Sequence, residues 1–118
     1  MKKLMSEKLP THLLVSAQIR TAAQQGIAIT IIRKGDPSSG ALLLEINRLD
    51  GTAEILTQMW MDDERVWTSH GEPLPEKEAD ALAAEQASFD PDLWLIEIED
   101  KKGRAWFPGK IVEDPSCF

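Results

Sequence analysis

Hydrophobic and polar residues alternate through residues 41–60, on either side of the pair Asp50-Gly51. Alternation with a period of two is typical of a half-buried β-strand, and Asp-Gly favours the two-residue type I′ turn of a β-hairpin. Such a turn fixes which residues of the two strands face each other. The expected pairs are Leu49 with Thr52, Ile46 with Ile55, and Leu42 with Met59.

This register predicts one apolar face of the hairpin and one mixed face. The apolar face would carry Leu42, Leu44, Ile46, Ala53, Ile55 and Met59. The mixed face would combine polar side chains with Leu43, Leu56 and Trp60. We expect these three apolar side chains to be buried, either by a helix of the same chain or by a second copy of the protein.

Two segments have the apolar spacing of amphipathic helices. The first is predicted from Thr11 to about Gln25, with Thr11 as N-cap and Gly26 after its end. Its apolar stripe is Val15, Ile19, Ala22 and Ala23, which leaves Leu13, Leu14 and Ala17 outside. The second is predicted from near Pro75 to just before Asp90. Its stripe is Ala79, Leu82, Ala83 and Gln86, extended by Phe89.

Further strands are predicted on both sides of the second helix. The β-branched run 27–33 favours a strand inside the sheet, paired with 41–47. Shorter strands are expected at 66–69, at 93–99 and, as an edge strand, at 104–107. The order is a helix, three or four strands, a second helix, and one or two strands.

This order predicts an α+β fold, with two helices on one face of a mainly antiparallel sheet of four to six strands. We expect a flexible N-terminus over residues 1–8, a single domain over 9–107, and a C-terminal tail over 108–118.

Charge and composition narrow the function classes. The net charge of −7 opposes binding to nucleic acid and to anionic membranes. The single cysteine, Cys117, allows no disulfide within the chain. No apolar run is long enough to span a bilayer, and the first residues lack the apolar core of a signal peptide. We therefore expect a cytoplasmic protein.

Candidate chemistry is sparse. His12, His70 and Cys117 do not have the spacing of zinc ligands. Carboxylates gather near the last long strand, where Glu97 and Glu99 share a face and Asp100 follows. Oxygen ligands of this kind suit Mg²⁺, so these three acids are the candidates for a metal site.

Two neighbouring groups are weaker candidates. Asp92 lies at the far end of the same strand, about 20 Å from Glu99, too far for both to bind one ion. Arg33, Lys34 and Arg48 could bind an anion or nucleotide near the loop 35–40, but that loop lacks the lysine and the following helix of a phosphate-binding loop. No catalytic residue and no cofactor is assigned.

Three groups of residues resemble a known family. They are Leu9-Pro10-Thr11 with Val15-Ser16-Ala17, Arg33-Lys34-Gly35-Asp36-Pro37 through Gly40 with Asn47-Arg48-Leu49-Asp50-Gly51, and Phe89-Asp90-Pro91-Asp92-Leu93-Trp94 with Glu97-Ile98-Glu99-Asp100. Over residues 9–107 the chain resembles a bacterial family of small proteins with a domain of unknown function. The resemblance implies a small bacterial cytosolic protein and brings no site residues with it.

These observations favour a non-catalytic protein-interaction or self-associating domain over an enzyme, with a homodimer as one form. The first alternative is a divalent-cation-dependent enzyme that uses Glu97, Glu99 and Asp100. The second is an anion- or nucleotide-binding protein that uses the basic residues near the loop 35–40.

Overall fold

A mixed β-sheet with one helix on each face makes up the structure. The computed structural model describes residues 9–113, without the side chain of residue 113. The elements in chain order are α1 (Thr11–Ala23), β1 (Ala28–Arg33), β2 (Leu42–Asn47), β3 (Thr52–Met61), β4 (Glu64–Ser69), β5 (Leu74–Pro75), α2 (Glu76–Ser88), β6 (Trp94–Glu99) and β7 (Lys110–Glu113). The predictions for residues 1–8, for residues 114–118 and for Cys117 lie outside the described part.

The sheet has seven strands within residues 9–113, in the order β1-β6-β2-β3-β4-β7, and β5 lies beside β3. The β2–β6 and β4–β7 pairs are parallel, and the other pairs are antiparallel. The predicted α+β class is confirmed, but the sheet is mixed and has more strands than the four to six expected. The parallel β2–β6 pair arises because α2 carries the chain back across the sheet before β6 begins.

The first strand was predicted inside the sheet beside 41–47, and this was wrong. β1 is an edge strand that pairs with β6, not with β2. Its apolar run is half exposed: Ile29 is buried, whereas Ala28 and Thr30 are exposed. β6 is buried more evenly on both faces and therefore occupies the position beside β2.

The predicted hairpin between β2 and β3 exists, but its register is shifted by one residue. Ile55 lies opposite Glu45 rather than Ile46. The loop contains three residues rather than two, since the Arg48 N–H donates to the Thr52 carbonyl (3.0 Å). Leu49 adopts a positive φ of 61°, supported by its N–H bond to the Asn47 side chain. The shift moves every β3 side chain to the opposite face from the one predicted.

Both faces of β2 are buried, which corrects the prediction that both helices share one face. Its even-numbered residues pack with α1 in a cluster that includes Leu14, Val15 and Leu56. Leu43 packs with Ala53 and Ile55 of β3 under α2. The inner stripe of α2 is Ala79, Ala83 and Ala87, and these small side chains let the helix lie close to the sheet.

The chain after β6 crosses the α1 side of the sheet. The predicted edge strand at 104–107 is absent, and this segment is irregular. Phe107 packs edge-to-face on Trp67 (6.3 Å between ring centroids), and the Trp67 indole N–H donates to the Pro108 carbonyl. β7 then pairs with β4, so the sheet continues past the domain boundary expected at residue 107.

No helix within residues 9–113 has the length and apolar character needed to cross a bilayer.

The loop 35–40 encloses one backbone carbonyl, that of Asp92. The Asp36 N–H donates to this oxygen (3.0 Å). A Cβ atom on Gly35 or Gly40 would lie only 2.1 or 2.3 Å from it, closer than any real contact. The Trp94 indole N–H donates to the Asp36 carbonyl (2.7 Å), so the loop 35–40 and the segment 89–94 are fixed to each other.

Gly40→Ala should therefore destabilise the fold by at least about 2 kcal/mol, because the neighbouring atoms are backbone and cannot rotate away. Denaturant unfolding measures the loss. Gly26→Ala is the control: its φ of +77° is unfavourable for alanine, but nothing lies within 4 Å of the added Cβ. A smaller loss at Gly40 than at Gly26 would contradict the steric argument.

Candidate functional site

Exposed apolar side chains collect at one end of the sheet. The strand register brings together the starts of β2 and β6 and the end of β1, since Leu42 pairs with Trp94 and Arg33 with Leu95. The antiparallel β3 ends there too, so the β3–β4 turn lies at the same end. We call this region the apolar end. Its exposed members are Leu9, Leu13, Ile32, Met59, Trp60, Met61 and Phe89.

A cleft of about 240 Å³ opens at the apolar end. We call it the His12 cleft, after the residue from the first turn of α1 that lines it together with Lys34, Gly35, Pro37 and Trp94. The His12 ring is held by a hydrogen bond between Nδ1 and the Pro37 carbonyl (3.0 Å). The α1 N-terminus offers no free amides here, because the N–H groups of residues 11 and 12 donate to carbonyls of the loop 35–40.

Phe89 is another exposed side chain of the apolar end, with 79% of its surface accessible. It directly follows α2, and its position is fixed by Arg33, whose guanidinium donates to the carbonyls of Ala87 and Asp90. The residue after Arg33 is Lys34, which lines the cleft. The sequence pattern placed Phe89 on the buried stripe of the second helix, and this was wrong because α2 ends one residue earlier and the chain turns.

A second groove, of about 340 Å³, lies on the other side of the loop 35–40. Leu9, Ser38, Gln58 and Trp60 are among the residues that line it. Trp60 is 49% exposed, and the Arg65 guanidinium lies over its ring at 5.4 Å. The β3–β4 turn beside it is formed by Asp62 and Asp63 at φ values of 51° and 65°. The two-residue type of turn predicted at residues 50–51 thus occurs here instead.

The surplus apolar residues identified from the sequence divide between core and surface. Leu14, Leu43 and Leu56 are buried within the chain, and α2 covers the face that carries Leu43. Leu13 and Trp60 remain exposed at the apolar end.

A buried carboxyl group, Glu45, lies near the middle of the sheet under α2. It faces Glu97 across the parallel β2–β6 pair and is only 4% exposed. It shares a hydrogen bond with Asp80 of α2, while its Oε2 atom has no partner among the described residues. Asn47, two residues further along the same strand, donates its side-chain amide to Glu76 (3.1 Å).

Burial raises the pKa of Glu45 to about 8, and the hydrogen bond to Asp80 and the negative charges of Asp80, Glu97 and Glu76 add to the rise. Burial also raises the pKa of Glu97, partly offset by a hydrogen bond from Asn47. Glu45 is therefore protonated at neutral pH. The sequence pattern indicated only that Glu45 is a polar residue on the mixed face of the hairpin. Its burial depends on the packing of α2 against that face, which the local pattern does not contain.

The structure separates the three predicted metal ligands. Glu97 and Glu99 share the α2 face of β6, but Glu99 is exposed at the end of the strand. Asp100 continues onto the opposite face, where it contacts Arg104 and Trp106. Within residues 9–113, no group of three or more histidine, cysteine, aspartate or glutamate side chains is arranged to hold a metal ion.

Asp100 instead organises the turn after β6. Its carboxylate accepts bonds from Arg104 Nε (2.7 Å), the Trp106 indole (2.8 Å) and the Lys102 backbone N–H (2.9 Å). Burial on its own would raise the pKa of Asp100, but these bonds outweigh it and lower the pKa to about 2. Its side chain is 1% exposed, so its role is structural.

The three basic residues proposed for anion binding are also separated. Arg33 and Lys34 lie at the apolar end, whereas Arg48 follows β2 at the opposite end and pairs with Glu54 (3.1 Å). The other histidine, His70, binds the Thr57 hydroxyl through Nε2 (2.9 Å), far along the sequence from His12.

Replacing Glu45 should change how stability depends on pH. A folded-state pKa of about 8, above the ordinary 4.5, means that the stability contributed by this group is complete below pH 4.5 and lost as pH rises to about 8. The loss is at most about 1.4 kcal/mol per pH unit. Glu45→Gln should remove this part of the slope and be more stable than the wild type at pH 8.

Chemical denaturation at several pH values between 4.5 and 8 gives the unfolding free energy of the wild type and of Glu45→Gln, and therefore the slope of each against pH. Glu78→Gln, a change at an exposed position of α2, the helix that covers Glu45, should keep the wild-type slope. Equal slopes for Glu45→Gln and the wild type would show that Glu45 is ionised in the folded protein.

Asp100→Asn should cost about 2 kcal/mol of unfolding free energy, because it removes the charge from three hydrogen bonds. The contribution of the lowered pKa is present above pH 3.8 and lost as pH falls towards 2, so the variant and the wild type should converge in acid. The cost should be the same with and without Mg²⁺. A cost that appears only with Mg²⁺ would support the metal-ligand role instead.

Comparison with known proteins places the chain in a family. Two structures of a DUF1491 family protein from Caulobacter crescentus CB15 are similar to it. The crystal structure is 37% identical, covers 88% of this chain and 99% of its own, and has a TM-score of 0.78. The NMR structure is 36% identical, covers 89% and 97%, and has a TM-score of 0.77.

The solution structure of Atu0922 from A. tumefaciens is 24% identical, covers 92% of this chain and 98% of its own, and has a TM-score of 0.74, which shows a common fold. No functionally curated protein matches the chain. The family described as "Protein of unknown function (DUF1491)" matches residues 9–108. These matches confirm the family resemblance found in the three groups of sequence segments, and the chain belongs to the DUF1491 family.

Proposed function

We propose that the protein is a non-catalytic interaction domain of the cytoplasm that binds protein through its apolar end. The observation that carries this proposal is the gathering of exposed apolar side chains at one end of the sheet. Large exposed apolar side chains concentrated in one region of a surface mark interaction sites. Within residues 9–113, the other large apolar side chains with comparable exposure are Leu49 and Ile111.

The chemistry of the apolar end suits binding better than catalysis. Trp60 presents a half-exposed indole at the rim of the larger groove, and tryptophan is among the residues that dominate interface energies. The surrounding polar groups are largely committed within the chain. Asp36, for example, accepts bonds from the Ser38 and Ser39 backbone N–H groups and from the Ser39 hydroxyl.

Rigid support for the surface also favours binding. The Gln58 side-chain oxygen Oε1 accepts the Leu42 backbone N–H (3.0 Å), and the Thr11 hydroxyl donates to the Gly40 backbone carbonyl (2.9 Å). Both bonds fix the walls of the groove next to Trp60. A surface held this way loses little conformational entropy when a partner binds.

Site-specific photo-cross-linking tests the proposal. A benzoylphenylalanine at position 60, in cells that naturally make the protein, should form a covalent adduct with a protein. The same group at position 49 is the matched control, because Leu49 is equally exposed (50% against 49%) but lies at the opposite end of the sheet. An absence of adducts at position 60, or equal adducts at both positions, would refute binding through the apolar end.

A further inference from the structure

β1 forms one edge of the sheet. It pairs with β6 on one side, and no other strand within residues 9–113 lies beside it. In an antiparallel pair, the peptide N–H and C=O groups of alternate residues point away from the partner strand. These groups of β1 are therefore directed outwards, where they can bond to another strand. An open edge of this kind is a template for the addition of a strand from another chain.

The β1 edge lacks most of the features that protect open edges. Natural proteins block such strands with charged side chains, proline, bulges or short length. Residues 27–32 contain no charge and no proline, whereas 28% of the whole chain is charged. The bulge between Ile31 and Arg33 interrupts β1 only near its end. At the other edge, β7 has four residues, begins with a lysine and ends with a glutamate. Of the two edges, β1 is therefore the one suited to pairing.

The helix over this edge is also poor in charge. β1 is the strand that α1 contacts most extensively. Arg20 is the one charged residue among residues 9–32, with histidine counted as neutral. Depletion of charged residues is typical of the buried part of a protein interface. The helix and the strand together form a nearly uncharged edge on a chain whose net charge is −7.

The residues of β1 are complementary to a second copy of the same strand. In an antiparallel pairing centred on Thr30, the two Thr30 residues face each other, and Ile29 lies opposite Ile31 of the other copy. Ile29 belongs to the buried cluster under α1, and Ile31 packs against that cluster, so both lie on the α1 side. Thr30 is exposed on the opposite side, and threonine pairs across antiparallel strands are favourable. The five pairs use residues 28–32, all within β1.

Charges at the two ends of β1 favour the antiparallel arrangement. Ala28, the first residue of β1, pairs with Glu99, which is exposed. Lys34, which directly follows β1, is also exposed. Antiparallel pairing puts the end of one β1 beside the start of the other. Each Lys34 therefore comes to the end of the other sheet that carries Glu99.

We propose that two copies of the chain form a symmetric dimer through antiparallel pairing of their β1 strands, centred on Thr30. The two sheets become one continuous sheet, with both α1 helices on the same face. A two-fold axis closes this contact, so neither copy keeps an open β1 edge. The dimer goes beyond the proposed function, because β6 and β2 separate β1 from β3, the strand that carries Trp60.

Sedimentation equilibrium of the full chain measures the self-association. The wild type should fit a monomer–dimer equilibrium. Thr30→Lys should raise the dimer dissociation constant at least about fivefold, because two like charges would lie directly opposite each other in the paired strands. Thr30 is exposed, so the folded monomer should accept the lysine, which circular dichroism checks. Ile111→Lys is the matched control: it places a lysine on the other edge strand, at a side chain that is 52% exposed, and should leave the dissociation constant unchanged.

Disulfide cross-linking tests the register, in a chain in which Cys117→Ser removes the natural cysteine. Thr30→Cys should give a disulfide-linked dimer under mild oxidation, because residues opposite each other in antiparallel strands have Cα atoms about 4.5–5.5 Å apart. Ala28→Cys, at another exposed position of the same strand, is the control. In the proposed register the two Ala28 residues are four positions apart along the strand, or about 13 Å, which is too far for a disulfide.

The pairing would be overturned by a monomeric wild type, by a Thr30→Lys variant that dimerises like the wild type, or by cross-linking at position 28 that equals or exceeds that at position 30. These results are distinct from failure of the proposed function, which depends on adducts at position 60. A monomeric chain that still forms those adducts keeps binding through the apolar end. A dimeric chain without them keeps the β1 pairing and loses the proposed function.

Discussion

Burial of both faces of β2 is the constraint on which the rest of the structure depends. Every residue from Leu42 to Asn47 is buried, so the strand needs one covering layer on each side. α1 and the segment after β6 supply one layer, and α2 supplies the other. The alanine stripe of α2 follows from this requirement, because a helix over a flat apolar strand packs closely only where its own side chains are small.

The same constraint explains why local elements were predictable and their arrangement was not. The helices at residues 11 and 76 begin where proline and turn residues indicated, since the signals for a helix start are local. The position of β1 depends on which strand is the better partner for β6, and no local pattern contains that comparison. The hairpin register failed for a smaller reason: Leu49 accepts a left-handed conformation because Asn47 satisfies its N–H. The general preference of Asp-Gly for a two-residue turn does not take account of the hydrogen bond between the Asn47 side chain and the Leu49 N–H.

The candidate site shows a similar division. The segments around Gly35 and Phe89 could be recognised from the sequence, and the structure explains why they occur together. The segment 89–94 supplies the carbonyl of Asp92, and the loop 35–40 supplies the glycines that make room for it. Neither segment indicated that Phe89 would be exposed, because helical spacing alone extends the buried stripe to that residue. Glu45 was equally inconspicuous. Its raised pKa results first from burial under α2 and then from Asp80 and Glu97, which come from two other elements.

The position of β6 in the sheet also affects how the chain is made. β6 lies between β1 and β2, yet it is synthesised after both, so two strands separated by few residues in sequence wait for a third to fill the space between them. Until residues 94–99 leave the ribosome, the apolar edges of β1 and β2 face solvent, where exposed strand edges invite aggregation. Long-range closure of this kind is slow. The sheet can therefore join β1 to β2 only after residues 94–99 have been synthesised.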